Sequence, residues 1–273
     1  MHAIEKTVFA IRHHKYLERA DAVWDLVRPL YDRLSARAAR AGLERIINGT
    51  DRVLISTRCR NIAEIYEPQV WRSIMAEVRE GDVVADVGAF IGLYTVALAN
   101  RIGPTGALFS FEPDEYNFEM LTEHVKLNHL GEQVKLIAGA VGSRDGQLDF
   151  TSNGSESHVS VNSGANGDGK GSPVVTCHTL DNVFADRRLD VLKIDVEGYE
   201  EMVLRGAASL LADSARKPRA IFLEVHPYAW PSIGTTSDSL LNLLETSGYR
   251  VVDLEGHSLD RIDEYGEVIA RRA

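Results

Sequence analysis

A chain of 273 residues, 44% hydrophobic and 26% charged, has enough apolar sequence for one large domain with a sizeable core, or for a domain with an appendage. Its formal net charge of −10 argues against gripping a nucleic-acid backbone, which needs clustered Lys and Arg. Two cysteines, Cys59 and Cys177, with no CxxC pair, exclude a disulfide framework and a structural zinc site, and fit free thiols in a reducing compartment. No apolar run is long enough for a membrane span and no short apolar core marks a signal peptide, so the expected location is the cytoplasm.

Residues 3–47 carry apolar positions at helical spacing, among them Val23, Leu26, Val27, Leu30 and Leu34, with Pro29 as a kink. Residues 1–60 are therefore expected to form an N-terminal helical extension. It either caps a pocket, contacts a second copy in a homodimer, or simply packs on the main domain. Arg37, Arg40 and Arg45 read as a solvated helix face, and the adjacent His13 and His14 as surface residues.

The remainder, residues 61–273, reads as the main domain. After Val53–Ile55, a short strand, Glu67–Arg79 is expected to be a helix with Pro68 in its first turn. Apolar runs at Val83–Val87, Ala107–Phe111, Val134–Ala138, Val191–Ile194, Ala220–Val225 and Tyr249–Leu254 then alternate with helix-length segments. These are Leu93–Arg101, Tyr116–Asn128, Glu200–Leu211 and Ser237–Ser247. Alternation of this kind predicts an α/β, doubly wound, mostly parallel sheet with helices on both faces. Gln147–Thr151 and Val174–His178 read as two further strands flanking a Gly-, Ser- and Asn-rich stretch, 152–172. That stretch is expected to be a loop, either a plain connection or a lid.

The segment Asp86-Val87-Gly88-Ala89-Phe90-Ile91-Gly92 places a tight turn between the first core strand and a helix. Phe90 takes the middle glycine of a dinucleotide fingerprint, and no Gly-Lys-Ser/Thr follows, so the diphosphate loops fail. Glu112, at the tip of the next strand, is placed to accept hydrogen bonds from both hydroxyls of a ribose. An adenosine ligand without a pyrophosphate is implied, and S-adenosylmethionine answers that description. Ligands in open α/β sheets lie beyond the carboxyl ends of the strands. Asp195, Glu224 and His226, all at strand ends, should face the same crevice. His226 is the first choice for a general base, with Asp195 or Glu224 orienting it or binding substrate hydroxyls. A second version puts a divalent cation such as magnesium between Asp195 and Glu224. Glu197 and Glu200 read as helix-start carboxylates, His158 as a solvated loop histidine, and Trp230 as either a pocket wall or core. Glu67 is placed to approach the cofactor from the lid side.

Four motifs in order carry a family resemblance: D-V-G-A-x-I-G at Asp86–Gly92, F-E-P at Phe111–Pro113, K-I-D-V-E-G-x-E at Lys193–Glu200, and L-E-V-H-P at Leu223–Pro227. Across about residues 62–255 the chain resembles the FkbM family of methyltransferases. The resemblance implies a Rossmann-like class I methyltransferase fold with a seven-stranded sheet and one antiparallel strand. It also implies S-adenosylmethionine as methyl donor, and usually O-methylation of sugars or secondary metabolites. Carried onto this chain, Asp86, Gly88, Ala89 and Gly92 would contact the methionine part, and Glu112 beside Pro113 would hold the ribose. The chain departs from the family at Phe90, where many relatives carry Asn. The expected enzyme is thus an O-methyltransferase with a small-molecule acceptor, no nucleic-acid partner and no membrane partner. The alternatives are an N-methyltransferase acting on an amine or a protein, or a cofactor-binding protein without turnover.

Overall fold

A computed structural model describes residues 40–151, 158–159 and 174–273. The helical reading of residues 3–39, with His13, His14, Pro29 and Arg37, and most of the 152–172 loop lie outside the described residues, as does the side chain of His158.

The described part begins with two helical residues, 40–41, and a hairpin follows, β1 (Leu43–Ile47) and β2 (Asp51–Ile55), where the helical spacing of the sequence runs on to residue 47. Leu43, Arg45 and Ile47 point inward and alternate with exposed residues, a period of two. Asn48, Gly49 and Thr50 form the turn between the paired Ile47 and Asp51, with Asn48 and Gly49 left-handed at φ of 51° and 76°, values that these two residue types tolerate. Arg45 is consequently buried, donating to the carbonyls of Glu44 and Arg60, and not part of a solvated helix face. The hairpin's Leu43, Ile47, Val53 and Ile55 join the same apolar cluster as Trp71 and Leu98, so the described core includes residues ahead of 61.

Helix α1 (Pro68–Glu77) leads into β3 (Val83–Val87), α2 (Leu93–Ile102), β4 (Ala107–Glu112), α3 (Glu115–Leu127) and β5 (Val134–Ala138). A small sheet follows, formed by β6 (Ala140–Val141), β7 (Gly146–Thr151), β8 (His158–Val159) and β9 (Val174–His178). After α4 (Leu180–Val183) come β10 (Val191–Ile194), α5 (Glu200–Arg205), α6 (Ala208–Ala212), β11 (Ala220–Val225), α7 (Ser237–Thr246), β12 (Tyr249–Val252) and β13 (Gly266–Arg272). The main sheet has seven strands in the order β12-β13-β11-β10-β3-β4-β5. The pairs from β11 through β5 are parallel, whereas β13 runs antiparallel to both its neighbours.

The strands read as unbroken apolar runs because both faces are covered. Along β3 and β4, Val84 and Leu108 join the cluster under α1, α2 and α3, while Ala85, Val87, Phe109 and Phe111 join the cluster on the other face. The segment 200–211 forms two helices instead of one. A Cβ on Gly206 would lie 1.9 Å from the carbonyl oxygen of Gly142, so the chain turns there at a backbone-to-backbone contact. Charges close the far end of the sheet: the Arg219 guanidinium bonds Glu77 at 2.8 Å and Asp82 at 2.6 Å. Cys59 and Cys177 are free thiols. Among the described residues, no helix is long and apolar enough to cross a membrane.

Candidate active site

The carboxyl ends of β3, β4, β10 and β11 open into one cleft of about 890 Å³, its open mouth included. Gly88, Glu112, Asp195 and Glu224, one from each strand end, line it together with Glu67, Glu197 and Tyr199. Ala140, Val141 and Phe150 of the small sheet supply an apolar wall.

The turn after β3 is fixed by backbone. The amides of Gly88 and Ala89 both donate to the carbonyl of Phe111, at 3.1 and 2.9 Å. Gly88 has φ of 80°, and a Cβ there would lie 1.7 Å from the carbonyl oxygen of Asp195, so only glycine lets β3 and β10 close at this point. Phe90, also left-handed at φ 50°, donates its amide to Oε2 of Glu112 at 2.7 Å. The amide of Asp114 donates to Oε1 of the same carboxylate at 2.9 Å. Each oxygen of Glu112 thus takes one backbone donor and keeps further acceptor capacity toward the cleft. Burial outweighs these two bonds and pushes its carboxyl up to about 7.

Of the four residues expected around the methionine part, only Gly88 lines the cleft. Asp86 is fully buried beneath it. Its Oδ2 accepts from Thr95 Oγ1 at 2.7 Å, and its Oδ1 lies 3.7 Å from Lys193 Nζ with no hydrogen bond of its own. Ala89 is buried. Gly92 lets α3 approach, since a Cβ there would meet Leu121 Cδ1 at 2.4 Å. Pro113 and Glu67 do line the cleft. Glu67 sits left-handed at φ 41° and accepts from the Tyr94 hydroxyl at 2.8 Å. Burial raises its pKa.

Lys193 was not expected at the site. Within the apolar strand β10 it pairs in register with Asp86 and is buried, its Nζ 3.2 Å from Asp195 Oδ2 and 4.9 Å above the Tyr94 ring. Burial opposes its charge, but Asp195 and Asp86 overcome this and raise its pKa. A lysine inside a buried strand was the available signal.

His226 lies behind the cleft wall and does not line it. Its Nδ1 donates to Glu200 Oε1 at 2.8 Å, and Nε2 faces Glu197 at 3.3 Å and Glu224 at 3.9 Å. Glu200 is the orienting group, in place of Asp195 or Glu224. It is fully buried and also accepts from the Gly198 amide and from Trp230 Nε1, each at 2.8 Å. Trp230 is accordingly core, with its N–H satisfied. Burial works against a charged His226 ring, but the Glu200 bond and the charges of Glu200, Glu197 and Asp195 outweigh it and raise the pKa. Glu224 differs: it lines the cleft, accepts from the Tyr265 hydroxyl, and is pushed up to about 7 by burial and by the charge of Asp195. Asp195, Glu197 and His226 each offer one ligand atom within 4.8 Å of the others, a different set from the Asp195–Glu224 pair expected for a cation.

Sheet order, the reversed strand β13 and an acid at the tip of β4 together define a class I methyltransferase fold. The chain belongs to the methyltransferase FkbM domain family, which it matches over residues 86–251. The hexuronic acid methyltransferase AglP of Haloferax volcanii is 27% identical over 163 residues, 59% of this chain and 62% of that protein. The AMB antimetabolite synthetase AmbE of Pseudomonas aeruginosa is 26% identical over 239 residues, 74% of this chain and 11% of that one. The chain therefore spans less than two thirds of the length of either curated relative. A solved SAM-dependent O-methyltransferase from Thermotoga maritima is similar at 16% identity and a TM-score of 0.43, covering 79% of this chain and 69% of that one.

The lining suits S-adenosylmethionine, the cofactor the family implies. Among the described residues it holds five carboxylates, Glu67, Glu112, Asp195, Glu197 and Glu224, and no Lys or Arg. Such a set accepts ribose hydroxyls and favours a cationic centre, and it repels a diphosphate.

Proposed function

We propose that this chain is an S-adenosylmethionine-dependent O-methyltransferase acting on a hydroxyl of a small molecule such as a sugar or secondary metabolite. The observation that carries the reading is Glu224, a carboxylate in the cleft whose pKa is pushed up to about 7. A hydroxyl is a weak nucleophile, and a base is most effective when its pKa lies near the working pH.

The division of labour follows from position. Glu112 holds the ribose hydroxyls, and Gly88 lets the ligand approach the backbone of β3. The cofactor, when bound, supplies an electrophilic methyl group. Asp195, anchored by Lys193, and Glu67, anchored by Tyr94, set a negative field on the cationic side of that ligand. Glu224 accepts the acceptor's hydroxyl proton, and the Tyr265 hydroxyl steadies its carboxylate. His226, fixed by Glu200, sits behind Glu224 and Glu197 with its Nε2 facing both acids.

The test is to incubate the protein with methyl-labelled cofactor and a panel of hydroxylated small molecules, then locate the label by mass spectrometry and NMR. Label on oxygen is expected. Label on nitrogen would favour the amine or protein reading, and tight cofactor binding without turnover would favour a binding protein. A second reading has one observation behind it, the convergence of Asp195, Glu197 and His226 Nε2. There a divalent cation such as magnesium would lower the pKa of the acceptor hydroxyl. Loss of turnover on adding a chelator, restored by magnesium, would favour it.

A further inference from the structure

We infer that the acceptor is a polyhydroxy molecule carrying a protonated amine near the hydroxyl that is methylated, and that Asp195, Glu197, Tyr228 and Tyr265 hold the ammonium at the cleft mouth. The inference rests on the methyltransferase reading of the cleft and names the chemical class of its second substrate.

Three acids converge on one end of the cleft, and each lies at a fixed point. Asp195 follows β10, Glu224 lies in the last turn of β11, and Glu197 sits in the connection to α5 with φ of 53°. Lys193 and His226, which serve them, are both buried behind the wall, and among the described residues no Lys or Arg lines the cleft. The described surface that an acceptor meets is therefore negative.

Two tyrosines stand over these acids. Tyr228 and Tyr265 are 70% and 60% exposed. Each is tied down at one end. The Tyr228 hydroxyl donates to Glu197 Oε2 at 3.0 Å, and the Tyr265 hydroxyl donates to Glu224. Each ring also packs on His226, with centroids 5.8 and 5.3 Å away. Rings held this way present fixed faces at the rim of the acid cluster. Aromatic faces over carboxylates attract an ammonium by cation–π and charge interactions together, and they stack on the C–H faces of a ring polyol. A carboxylate on the acceptor would add a fourth negative charge to the three acids already there.

This arrangement also selects the atom that reacts. An amine held by carboxylates stays protonated and has no lone pair, so it cannot attack. The neighbouring hydroxyl forms the new O–CH₃ bond, its proton passes to Glu224, and the S–CH₃ bond breaks with its electron pair remaining on sulfur. The products are the methyl ether and neutral S-adenosylhomocysteine.

The test uses the full chain with S-adenosylhomocysteine bound, and three probes of one shape: glucosamine, glucose and glucuronic acid. Binding is read by saturation-transfer NMR and turnover by kcat/KM with the methyl donor. Glucosamine is expected to exceed glucose at least tenfold, to exceed glucuronic acid further, and to gain its methyl group on oxygen. Glu197→Gln and Tyr228→Ala should each raise KM for glucosamine several-fold more than they raise that for glucose. Equal or better use of glucose or glucuronic acid overturns the inference, as does methylation of the amine or contact with none of the three. A preference for glucuronic acid that disappears with EDTA would place a metal among the acids and overturn it as well. Failure of S-adenosylhomocysteine to bind is read separately by calorimetry. That result would bring down the methyltransferase reading first and this inference with it.

Discussion

Glu200 and His226 form a buried pair, the carboxylate accepting from the ring's Nδ1 at 2.8 Å while Trp230 and the Gly198 amide occupy its remaining capacity. No solvent reaches the acid, so its charge acts on the ring without screening. Glu200→Gln keeps the shape and removes the charge. The His226 pKa, raised by that acid, is expected to fall. A pair-breaking change of this type also lowers stability by about 1–3 kcal/mol. Imidazole NMR titration checks the first outcome and denaturant unfolding the second. An unmoved titration with the same loss of stability would reduce Glu200 to a packing role.

Glu112 makes cofactor affinity depend on pH, and the sign follows from its pKa. Its carboxyl, pushed up to about 7, is largely protonated below that value when the cleft holds no ligand. Ribose hydroxyls donate to the ionised form, so binding favours ionisation and affinity rises with pH. Between pH 6 and pH 8 the ionised fraction grows by roughly tenfold for a pKa near 7, and affinity should grow in proportion. The same shift makes Glu112 contribute stability that is fully present below the ordinary carboxylate pKa and lost as pH rises through about 7. Glu112→Ala should weaken cofactor binding by roughly ten- to a hundredfold and flatten the pH dependence. Calorimetry at the two pH values decides; equal affinities in the native protein would remove Glu112 from the ribose site.

Glu224 predicts the pH profile of turnover. A base with a carboxyl near 7 must be ionised to act, so the rate should climb through about pH 7 and level above it. Glu224→Gln should lower kcat by roughly 10²- to 10⁴-fold, abolish that limb and leave cofactor affinity near wild type. His226→Ala should also lower kcat, through disorder of Glu197 and Glu224, yet retain the ascending limb. Steady-state kinetics across pH distinguish the two. A limb that vanishes with His226 and survives without Glu224 would return the base to the histidine.

Much of this could be read from residue types, and the failures have physical causes. Val83–Val87, Val191–Ile194 and Ala220–Val225 declare themselves because both faces of each strand are buried. Strand β13 does not, since only Val268, Ile269 and Ala270 in Gly266–Arg272 are buried and the rest is polar. Leu43, Ile46 and Ile47 satisfy helical spacing as readily as strand alternation, and the Asn48-Gly49 turn is what decides between them. Glu112, Asp195 and Glu224 are legible as strand-end acids. The partnership of Glu200 with His226 is not, because 26 residues separate them and only the packing of α5 against β11 joins them. Asp86 reads as a ligand contact from its motif, whereas its burial under Lys193 appears only in three dimensions.

Lys193 is the counterion on which the acid cluster stands. Its ammonium lies 3.7 Å from Asp86 and 3.2 Å from Asp195, in a position where neither solvent nor another described cation could replace it. Lys193→Met fills the same space and leaves Asp86 buried without compensation. Breaking a buried pair from one side costs about 3–5 kcal/mol, because the surviving charge must be neutralised or hydrated. Replacing both members removes that penalty. Lys193→Met alone should therefore lower the thermal midpoint sharply, and Asp86→Asn added to it should recover a large part of the loss. Turnover should stay low in the double variant, since Asp195 would still lack its anchor. Independent, additive losses in the double-mutant cycle would mean that the two side chains merely fill space.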